Sequence, residues 1–353
     1  MRYHLVTGAC GFVGRNTVKQ LLKRTNDIIL MIDDLSVGTH PSTWLNDTTI
    51  KKFKDIEIFG KDERLFFWKM DVRKFLNHLQ ENSEWLKIEY GLNIDRFADV
   101  FHFAAIVGGR AKIEGDPMAV ALDLSIDAEF FNWIAKAKPE RVLYPSSSAA
   151  YPIHLQSEDK AVALKESDID IDGYTLGKPD MTYGWTKLTG EYLAKIAAKH
   201  YGISIVCIRP FSGYGEDQDL SYPVPAIADR AARRENPFEV WGTGQQGRDF
   251  VHINDVMDCM FLAMDKIHDG SAINIGSGKL TTFIELIKLF ASFAGYNPTI
   301  KPLVDKPMGV HSRYSDMSYV KEKLGWQPKI SLEEGMRRVY DAAVERIKNQ
   351  NRL

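Results

Sequence analysis

The chain lacks any apolar run of membrane-spanning length, and its N-terminal residues lack the apolar stretch of a signal peptide. Cysteine is scarce: only Cys10, Cys207 and Cys259 are present, far apart and without the spacing of metal ligands. An odd number of scattered cysteines is typical of a reducing compartment. These absences predict a cytoplasmic protein with no membrane segment and no metal site.

The sequence also lacks an excess of charge of either sign. Lys and Arg total 45 while Asp and Glu total 47, so there is no electrostatic case for nucleic acid or an anionic membrane surface as a partner. Any anionic small ligand must therefore be held by locally placed basic groups. Internal repeats are absent too, and 353 residues are enough for one large α/β unit and a smaller lobe.

The N-terminal stretch YHLVTGACGFVGRNTVKQLLKR has the pattern of a short apolar strand, a glycine turn and an amphipathic helix. Glycines at this turn let the backbone bend tightly and approach a pyrophosphate, while the helix N-terminus offers free N–H groups to the anion. The G-x-x-G-x-x-G spacing therefore predicts a dinucleotide site formed by Gly8, Gly11, Phe12, Val13 and Gly14.

An acidic residue closes the second predicted strand, DIILMIDDLS. Asp33 follows Gly14 by about twenty residues, the distance at which a carboxylate can bind the ribose hydroxyls of adenosine. The same carboxylate repels a 2′-phosphate, and no arginine immediately follows it. NAD is therefore favoured over NADP, and Asp34 is predicted to continue toward the adenine.

A third strand is predicted after a long connection at 39–66, in which FKDIEIFGKDERLFFWKMDV resembles an insertion of undetermined role. The strand is predicted to end at Asp71 and Val72, which would contact the adenine.

The stretch VFHFAAIVGGR predicts a buried strand at 100–104 followed by a glycine loop at Gly108 and Gly109. Small side chains at Ala104 and Ala105 would let the cofactor lie close to the backbone. His102 lies within this apolar strand, so we interpret it as a core histidine rather than a catalytic one. Residues 118–137 are predicted to form the helix that leads to the next strand.

The stretch from Arg141 to Tyr192 carries the candidate reactive groups. Tyr183 and Lys187 stand four apart in a segment with helical spacing, so they share one helix face. A free tyrosine, with a pKa of about 10, is a poor base unless a nearby positive charge favours its phenolate. This pair can remove the proton of an alcohol hydroxyl while hydride leaves the same carbon. Ser147, at the end of a predicted strand, could orient that hydroxyl.

Together, TGACGFVG, IDDLS, HFAA, SSSAAYP and the Tyr183-x-x-x-Lys187 pair resemble the extended short-chain dehydrogenase/reductase family, specifically its NAD-dependent nucleotide-sugar epimerases and dehydratases. The resemblance covers essentially the whole chain. It implies a doubly wound parallel α/β sheet of the Rossmann type at 1–200 and a substrate-binding lobe at 201–353, with a soft boundary that the chain crosses more than once. It also implies a homodimer through helices near 118–137 and 183–200.

The C-terminal half adds to the resemblance through RPFSGYG, EVWGTGQQGRDFVHINDV and AINIGSG. By that similarity Arg248 and Arg313 would bind the diphosphate of a UDP- or GDP-linked sugar, for which the planar guanidinium fork is well suited. Gly108, Gly109 and Ser148 complete the implied substrate site. Ser212 departs from the family pattern, which has Asn there.

The residues after the catalytic Ser or Thr separate the subtypes that the resemblance implies. The 4,6-dehydratases carry an acidic pair where this chain has Ser148 and Ala149, and the decarboxylases keep a Glu at the second position. GDP-mannose 3,5-epimerase, which the C-terminal half and the IVGGR loop resemble, uses a cysteine at the position of Ala149 and a lysine in a segment that here reads GEDQDLSYPVP. Neither group is present.

The minimal chemistry that remains is that of a 4-epimerase of the UDP-galactose type, in which hydride passes from C4 to NAD and returns to the opposite face. A nucleotide-sugar 4-dehydrogenase that releases the 4-keto product would use the same Ser147, Tyr183 and Lys187. Two further interpretations stay open: a relative of GDP-mannose 3,5-epimerase with relocated acid/base groups, and a non-catalytic NAD-sensing protein. The sequence identifies neither the base nor the sugar.

Overall fold

The computed structural model describes residues 1–47, 50–106, 114–173 and 175–350. Its strands, in chain order, are β1 (Tyr3–Thr7), β2 (Ile28–Asp33), β3 (Ile50–Phe53), β4 (Ile56–Phe59), β5 (Leu65–Lys69), β6 (Asp99–His102), β7 (Arg141–Pro145), β8 (Ala163–Leu164), β9 (Ile205–Pro210), β10 (Ser212–Tyr214), β11 (Phe238–Trp241), β12 (Gly247–Arg248), β13 (Phe250–His252), β14 (Asp269–Ile275), β15 (Thr281–Thr282), β16 (Ile300–Leu303) and β17 (Ser312–Ser315).

Its α-helices include, in chain order, α1 (Phe12–Arg24), α2 (Val72–Glu81), α3 (Trp85–Tyr90), α4 (Pro117–Ala121), α5 (Asp123–Ala137), α6 (Met181–Tyr201), α7 (Pro223–Ala232), α8 (Ile253–Lys266), α9 (Phe283–Phe293), α10 (Ser318–Leu324) and α11 (Leu332–Gln350). Across the residues that the structure describes, no helix combines the length and the apolarity needed to cross a membrane.

Nine strands form the central sheet, in the order β14-β9-β7-β6-β1-β2-β5-β4-β3. Every pairing from β14 to β5 is parallel, and β4 and β3 add antiparallel pairings at one edge. The chain leaves β1 toward β2 on one side and returns to β6 on the other, so the carboxyl ends of β1 and β6 form a topological switch point, where ligands bind in open α/β sheets.

Alternating side chains along the sheet bury two apolar layers. Leu5 packs with residues of α2, α5 and α6, whereas the next residue, Val6, packs with residues of α1 and α8. This alternation follows from the two-residue period of a strand, and it requires helices on both faces of a parallel sheet. The predicted doubly wound α/β fold is confirmed.

The remaining small sheets and three helices form a second cluster. Helices α7, α9 and α11 pack around buried apolar residues such as Phe238, Phe290 and Met336. The four-stranded sheet has the order β15-β12-β17-β8 and carries both predicted substrate arginines. After residue 200 the chain returns twice to the central sheet, through β9 and β14. A division near residue 200 stays a prediction.

Two local predictions are wrong. The stretch predicted as one helix at 118–137 is two helices, because Leu122 donates its N–H to the carbonyl of Ala119 in a tight turn between α4 and α5. The third parallel strand ends at Lys69 rather than at Asp71 and Val72. Asp71 instead caps α2, its carboxylate accepting the N–H of Arg73 at 2.8 Å.

The inserted segment extends the sheet. Its β3 and β4 form a hairpin whose second strand pairs with β5, with Ile58 opposite Phe66. At the start of the 39–66 connection, the N–H of Thr39 donates to the carbonyl of Cys10 at 3.2 Å. The connection that carries the hairpin therefore contacts the glycine turn.

Candidate active site and cofactor cradle

The glycine turn lies at the carboxyl end of β1, against the end of β6. Gly8 has φ +65°, and a Cβ there would lie 2.5 Å from the backbone carbon of Phe103. A Cβ on Gly14 would overlap the carbonyl oxygen of Gly8. Only glycine fits these two positions, because one has a left-handed φ and both approach backbone atoms closely. The strand, turn and helix thus form the predicted arrangement.

Helix α1 begins directly after this turn, with Gly11 at its N-cap and Phe12 and Val13 as its first residues. Its first turn contains no acidic side chain. A helix N-terminus carries unpaired N–H groups and a partial positive charge, so it attracts a phosphate. The end of α1 at the switch point therefore has the chemistry that a dinucleotide pyrophosphate requires.

Asp33 lies at the end of β2, beside the glycine turn. Its Oδ2 accepts the N–H of Cys10 at 2.9 Å and its Oδ1 accepts the N–H of Leu35 at 2.8 Å. Burial raises the pKa of this carboxyl, an effect that the two backbone hydrogen bonds oppose. Asp34, by contrast, is exposed, and its carboxylate accepts the N–H of Ser36. Asp33 is thus the carboxylate held against the cradle.

We expect Asp33→Asn to weaken NAD binding by roughly tenfold and to narrow the preference for NAD over NADP, because the variant loses a charge-assisted hydrogen bond and the charge that repels a 2′-phosphate. Titration with both dinucleotides measures the two dissociation constants. Asp34→Asn is the matched control and should leave their ratio unchanged. An Asp33→Asn ratio equal to that of the wild-type protein would contradict the assignment.

The other predicted cofactor residues lie near the same edge of the sheet. Asp71 forms an ion pair with Arg73 at 2.6 Å, and hydrogen bonding from Arg73 lowers the pKa of Asp71. Val72 is buried, Ala104 and Ala105 are half-buried, and the N–H of Ala104 donates to the hydroxyl of Thr7. Their contacts with a cofactor stay predictions. Gly108 and Gly109 lie outside the described residues.

The first turn of α6 packs on the short turn that follows β7. The N–H of Asp180 donates to the carbonyl of Ala149 at 2.9 Å, and a Cβ on Gly184 would overlap the same oxygen. In that turn the hydroxyl of Ser147 accepts the N–H of Ala149 at 3.1 Å. The fold therefore brings the segment of Ser147 against the helix turn that carries Tyr183.

Lys187 is buried one turn along α6. Its Nζ lies 5.8 Å from the centre of the Tyr183 ring and 5.3 Å from that of the Tyr144 ring. Burial lowers the pKa of this amine, but the charges of Asp127, Tyr183 and Asp123 outweigh burial, so the pKa lies above its ordinary value. Lys187 is therefore an ammonium ion buried beside the Tyr183 ring.

A buried polar network lies beneath Lys187. His102 stacks on Phe130 with ring centres 3.8 Å apart, its Nδ1 lies 2.9 Å from the hydroxyl of Thr7, and burial lowers its pKa. Asp127 accepts a hydrogen bond from the hydroxyl of Tyr144 at 2.6 Å. Burial raises the pKa of Asp127, but the contacts with His102 and the charge of Lys187 outweigh burial, so the pKa lies below its ordinary value. His102 is buried, as expected of a core histidine, and its lack of a catalytic role stays a prediction.

The two predicted substrate arginines are direct neighbours. Arg248 on β12 and Arg313 on β17 pair in register in parallel strands. The guanidinium of Arg248 donates to the carbonyl of Gly247 at 2.7 Å, and that of Arg313 donates to Asp180 at 2.8 Å. Ser148 is buried, 6% exposed. The fold thus places the two arginines on adjacent strands. Their contact with a diphosphate stays a prediction.

Asp249, which directly follows Arg248, is a buried carboxylate near the predicted substrate arginines that sequence reasoning did not single out. It is fully buried, and its carboxylate accepts the N–H and hydroxyl of Ser277, the N–H of Gly278, and the N–H and hydroxyl of Ser315. It therefore links the turn after β14 to the strands of both arginines. Asp249 follows Arg248 in the GRDF motif, but its hydrogen-bond donors lie near residues 277 and 315. The sequence therefore gives no local signal that this carboxylate is buried.

Within the described ranges, no group of three His, Cys, Asp or Glu side chains is placed to hold a metal ion. The three cysteines are free thiols and are all buried. Ser147, Tyr183 and Lys187 stay the predicted reactive groups at the carboxyl edge of the sheet.

Comparison with known proteins identifies the family of the chain. A model of the NAD dependent epimerase/dehydratase family matches residues 4–276. A putative UDP-glucose 4-epimerase of Methanocaldococcus jannaschii is 27% identical over 353 residues, covering 99% of both chains. A GDP-mannose 3,5-epimerase of Arabidopsis thaliana is 31% identical over 258 residues, covering 71% of this chain and 66% of that one.

Among solved structures, the UDP-glucose 4-epimerase of Thermotoga maritima with UDP-glucose has a TM-score of 0.78 at 24% identity, covering 98% of this chain and 99% of that one. This likeness concerns the fold, whereas the family match spans the glycine cradle, Asp33 and the Tyr183–Lys187 pair. The chain therefore belongs to the NAD-dependent epimerase/dehydratase family, and its cradle fits the family's cofactor, NAD.

Proposed function

We propose that this protein is a nucleotide-sugar 4-epimerase that acts through a 4-keto intermediate. The observation that carries the proposal is the Tyr183–Lys187 arrangement, in which a buried ammonium lies 5.8 Å from the ring of a half-buried tyrosine beside the turn of Ser147. Tyr183 accepts the proton of the C4 hydroxyl, Ser147 orients that hydroxyl, and Lys187 stabilises the phenolate. When bound, NAD supplies the acceptor for the C4 hydride and returns it.

The residues around Ser147 favour epimerisation at C4 over the loss of water that a 4,6-dehydratase catalyses. At the positions where, by the family resemblance, the 4,6-dehydratases carry an acidic pair, this chain has Ser148 and Ala149, and both side chains are buried. A hydroxyl and a methyl group have no useful acidity near neutral pH, so they cannot move the protons that loss of water requires. Tyr183 therefore acts as the base in one direction and as the acid in the other.

The substrate class is proposed from the neighbouring arginines. Arg248 and Arg313 would bind the diphosphate of a UDP- or GDP-linked sugar, and Asp249 would hold their strands in place through its five hydrogen bonds. The contributions proposed for Gly108, Gly109 and Ser148 belong to the sugar end of the same site.

A relative of the 3,5-epimerases with relocated acid/base groups is the second candidate, and one observation favours it. Tyr222 lies in the GEDQDLSYPVP segment and is half-buried at the N-cap of α7. Burial raises its pKa, and the charge of Tyr183 raises it further, so the two phenols lie within electrostatic range of each other. With its pKa raised, the Tyr222 phenol would stay protonated near neutral pH and would serve as an acid that donates a proton to a ring carbon beside the keto group.

Incubation of the purified protein in heavy water with a panel of UDP- and GDP-sugars tests the proposal. The product's mass and stereochemistry are followed together with absorbance near 340 nm. A C4 epimer without carbon-bound deuterium and without accumulating NADH is the expected result. Deuterium at C3 or C5 would favour the second candidate, and stoichiometric NADH with a 4-keto product would instead favour a 4-dehydrogenase.

We also propose that the protein is a homodimer in the cytoplasm. Helices α5 and α6 pack together. Large apolar side chains are exposed on α6, at Trp185 and Tyr192, and at the start of α5, at Leu124 and the preceding Leu122. Trp185 and Tyr192 lie seven residues apart, so they form one stripe along α6. Several large exposed apolar side chains on neighbouring helices are typical of protein interfaces. A second copy of the chain is the proposed partner.

Trp185→Glu should convert the dimer to a monomer at micromolar concentration, because a carboxylate buried at an apolar interface loses its hydration without gaining a partner. Light scattering after size exclusion measures the mass. Ile88→Glu on α3, where Ile88 is 65% exposed, is the control and should remain dimeric. A wild-type protein that is monomeric throughout would refute the homodimer.

A further inference from the structure

The guanidinium of Arg313 lies where three parts of the candidate site meet. From β17 it donates through Nη2 to Asp180, 2.8 Å away, and through Nε to the side-chain oxygen of Gln156, 2.5 Å away. The Arg313 and Asp180 side chains are 13% and 8% exposed. The ion pair is therefore largely shielded from solvent, where such a contact is strong and geometrically specific.

Gln156 is itself fixed to the segment that follows Ser147. Its side-chain amide donates to the carbonyls of Tyr151 and Pro152, each at 3.1 Å. Its backbone carbonyl accepts the N–H groups of His311 and Ser312, just before Arg313. The guanidinium thus joins this segment, the substrate-lobe strand β17 and the start of α6.

The start of α6 is held in an unusual conformation. Met181, which lies between Asp180 and Tyr183, has φ +52°, a left-handed value that residues other than glycine rarely adopt. Such a conformation persists only where neighbouring contacts determine it. Asp180 provides two of them, through its N–H to the carbonyl of Ala149 and through its carboxylate to Arg313.

We propose that Asp180 is a positioning residue for Tyr183 and acts through Arg313. Its ion pair with Arg313 fixes the strained first turn of α6 and thereby the direction of the Tyr183 phenol. Because Arg313 also carries the proposed diphosphate contact, substrate binding and placement of the base share this ion pair. This inference rests on the proposed function for its chemistry, whereas the contact itself is independent of any ligand.

Asp180→Asn tests the inference because it keeps the side chain's shape and removes its charge. We expect amide hydrogen exchange in residues 181–187 to rise at least tenfold without ligand. We also expect kcat to fall about 10- to 100-fold, as a small misplacement of a catalytic group does. The dissociation constants of UDP and GDP should not rise, because the variant removes a negative charge beside the anion site. Asp180→Glu should restore part of kcat.

Asp99→Asn is the matched control, since Asp99 is also buried and paired with an arginine, Arg141, at 2.6 Å at the opposite end of the sheet. It should leave kcat and exchange in 181–187 unchanged. Wild-type exchange or wild-type kcat in Asp180→Asn overturns the inference. If Asp180→Asn does not fold, kcat and amide exchange in residues 181–187 are measured on Asp180→Glu instead. The inference predicts a lower kcat and faster exchange than in the wild-type protein. Wild-type values of both would overturn it.

The outcomes that would contradict the proposed function differ from those that would overturn the positioning role of Asp180. Arg313→Ala with unchanged affinity for UDP and GDP would contradict the diphosphate assignment. Absence of turnover on every nucleotide sugar would contradict the 4-epimerase, and exchange in 181–187 of Asp180→Asn would then decide the positioning role alone.

Discussion

Tyr183→Phe is expected to lower kcat by about 10²- to 10⁴-fold, the contribution of a positioned general acid/base. The substitution removes only the phenolic oxygen that is proposed to accept the proton of the C4 hydroxyl. The ring, which faces the Lys187 ammonium at 5.8 Å, is retained. NAD affinity and melting temperature should therefore stay close to the wild-type values. Steady-state kinetics with the active nucleotide sugar measure the loss of kcat, and NAD titration measures the retained affinity.

Tyr192→Phe is the control for this prediction because Tyr192 lies on the same helix but is 49% exposed on its outer face. It should retain wild-type kcat. If Tyr183→Phe also turned over at near the wild-type rate, the phenol would not be the base and the assignment of α6 as the catalytic helix would be wrong.

Lys187→Met is expected to have the second largest effect and to act on both activity and stability. Without the ammonium, Tyr183 loses the charge that stabilises its phenolate, so kcat should fall about 10²-fold or more. The carboxylate of Asp127 loses a buried cation that lowers its pKa. Asp127 keeps its hydrogen bond from Tyr144, so the loss of the nearby cation should cost about 1–3 kcal/mol of stability, less than the loss of a direct partner in a buried ion pair. Chemical denaturation and kinetics measure the two losses separately.

The stability loss of Lys187→Met should depend on pH with a definite sign. In the wild-type protein the lowered pKa of Asp127 means that its ionised form stabilises the fold above the ordinary carboxyl range. In the variant, burial without the ammonium raises the pKa of Asp127 relative to the wild-type protein. Lowering the pH into the ordinary carboxyl range should therefore narrow the difference, because protonation removes the buried charge in the variant at a higher pH than in the wild-type protein. A difference that widened at low pH would contradict this account.

The local parts of this site could be predicted from the sequence. The glycine turn is determined by steric demands at Gly8 and Gly14, which only glycine meets, and Asp33 follows at the end of the next strand. Tyr183 and Lys187 are one helical turn apart, so their common face follows from the helix period alone. These features depend on neighbouring residues, and the structure brings them together at one edge of the sheet.

The features that were missed depend on contacts between distant segments. Asp249 is defined by donors near residues 277 and 315, and Asp180 by an arginine at 313. The break at Leu122 and the β3–β4 hairpin likewise depend on tertiary packing, which overrides local apolar patterns. A charge in a loop has no local signal that tells a buried ion pair from a solvated one.

Retention of a C4 label tests the central claim most directly. The substrate identified by the panel is prepared with deuterium at C4 and incubated with the protein in ordinary water and excess unlabelled NAD. Return of the same hydride predicts that the C4 epimer keeps its deuterium at C4. Loss of the deuterium to solvent, or its appearance in free cofactor, would contradict a 4-epimerase that removes and returns one hydride.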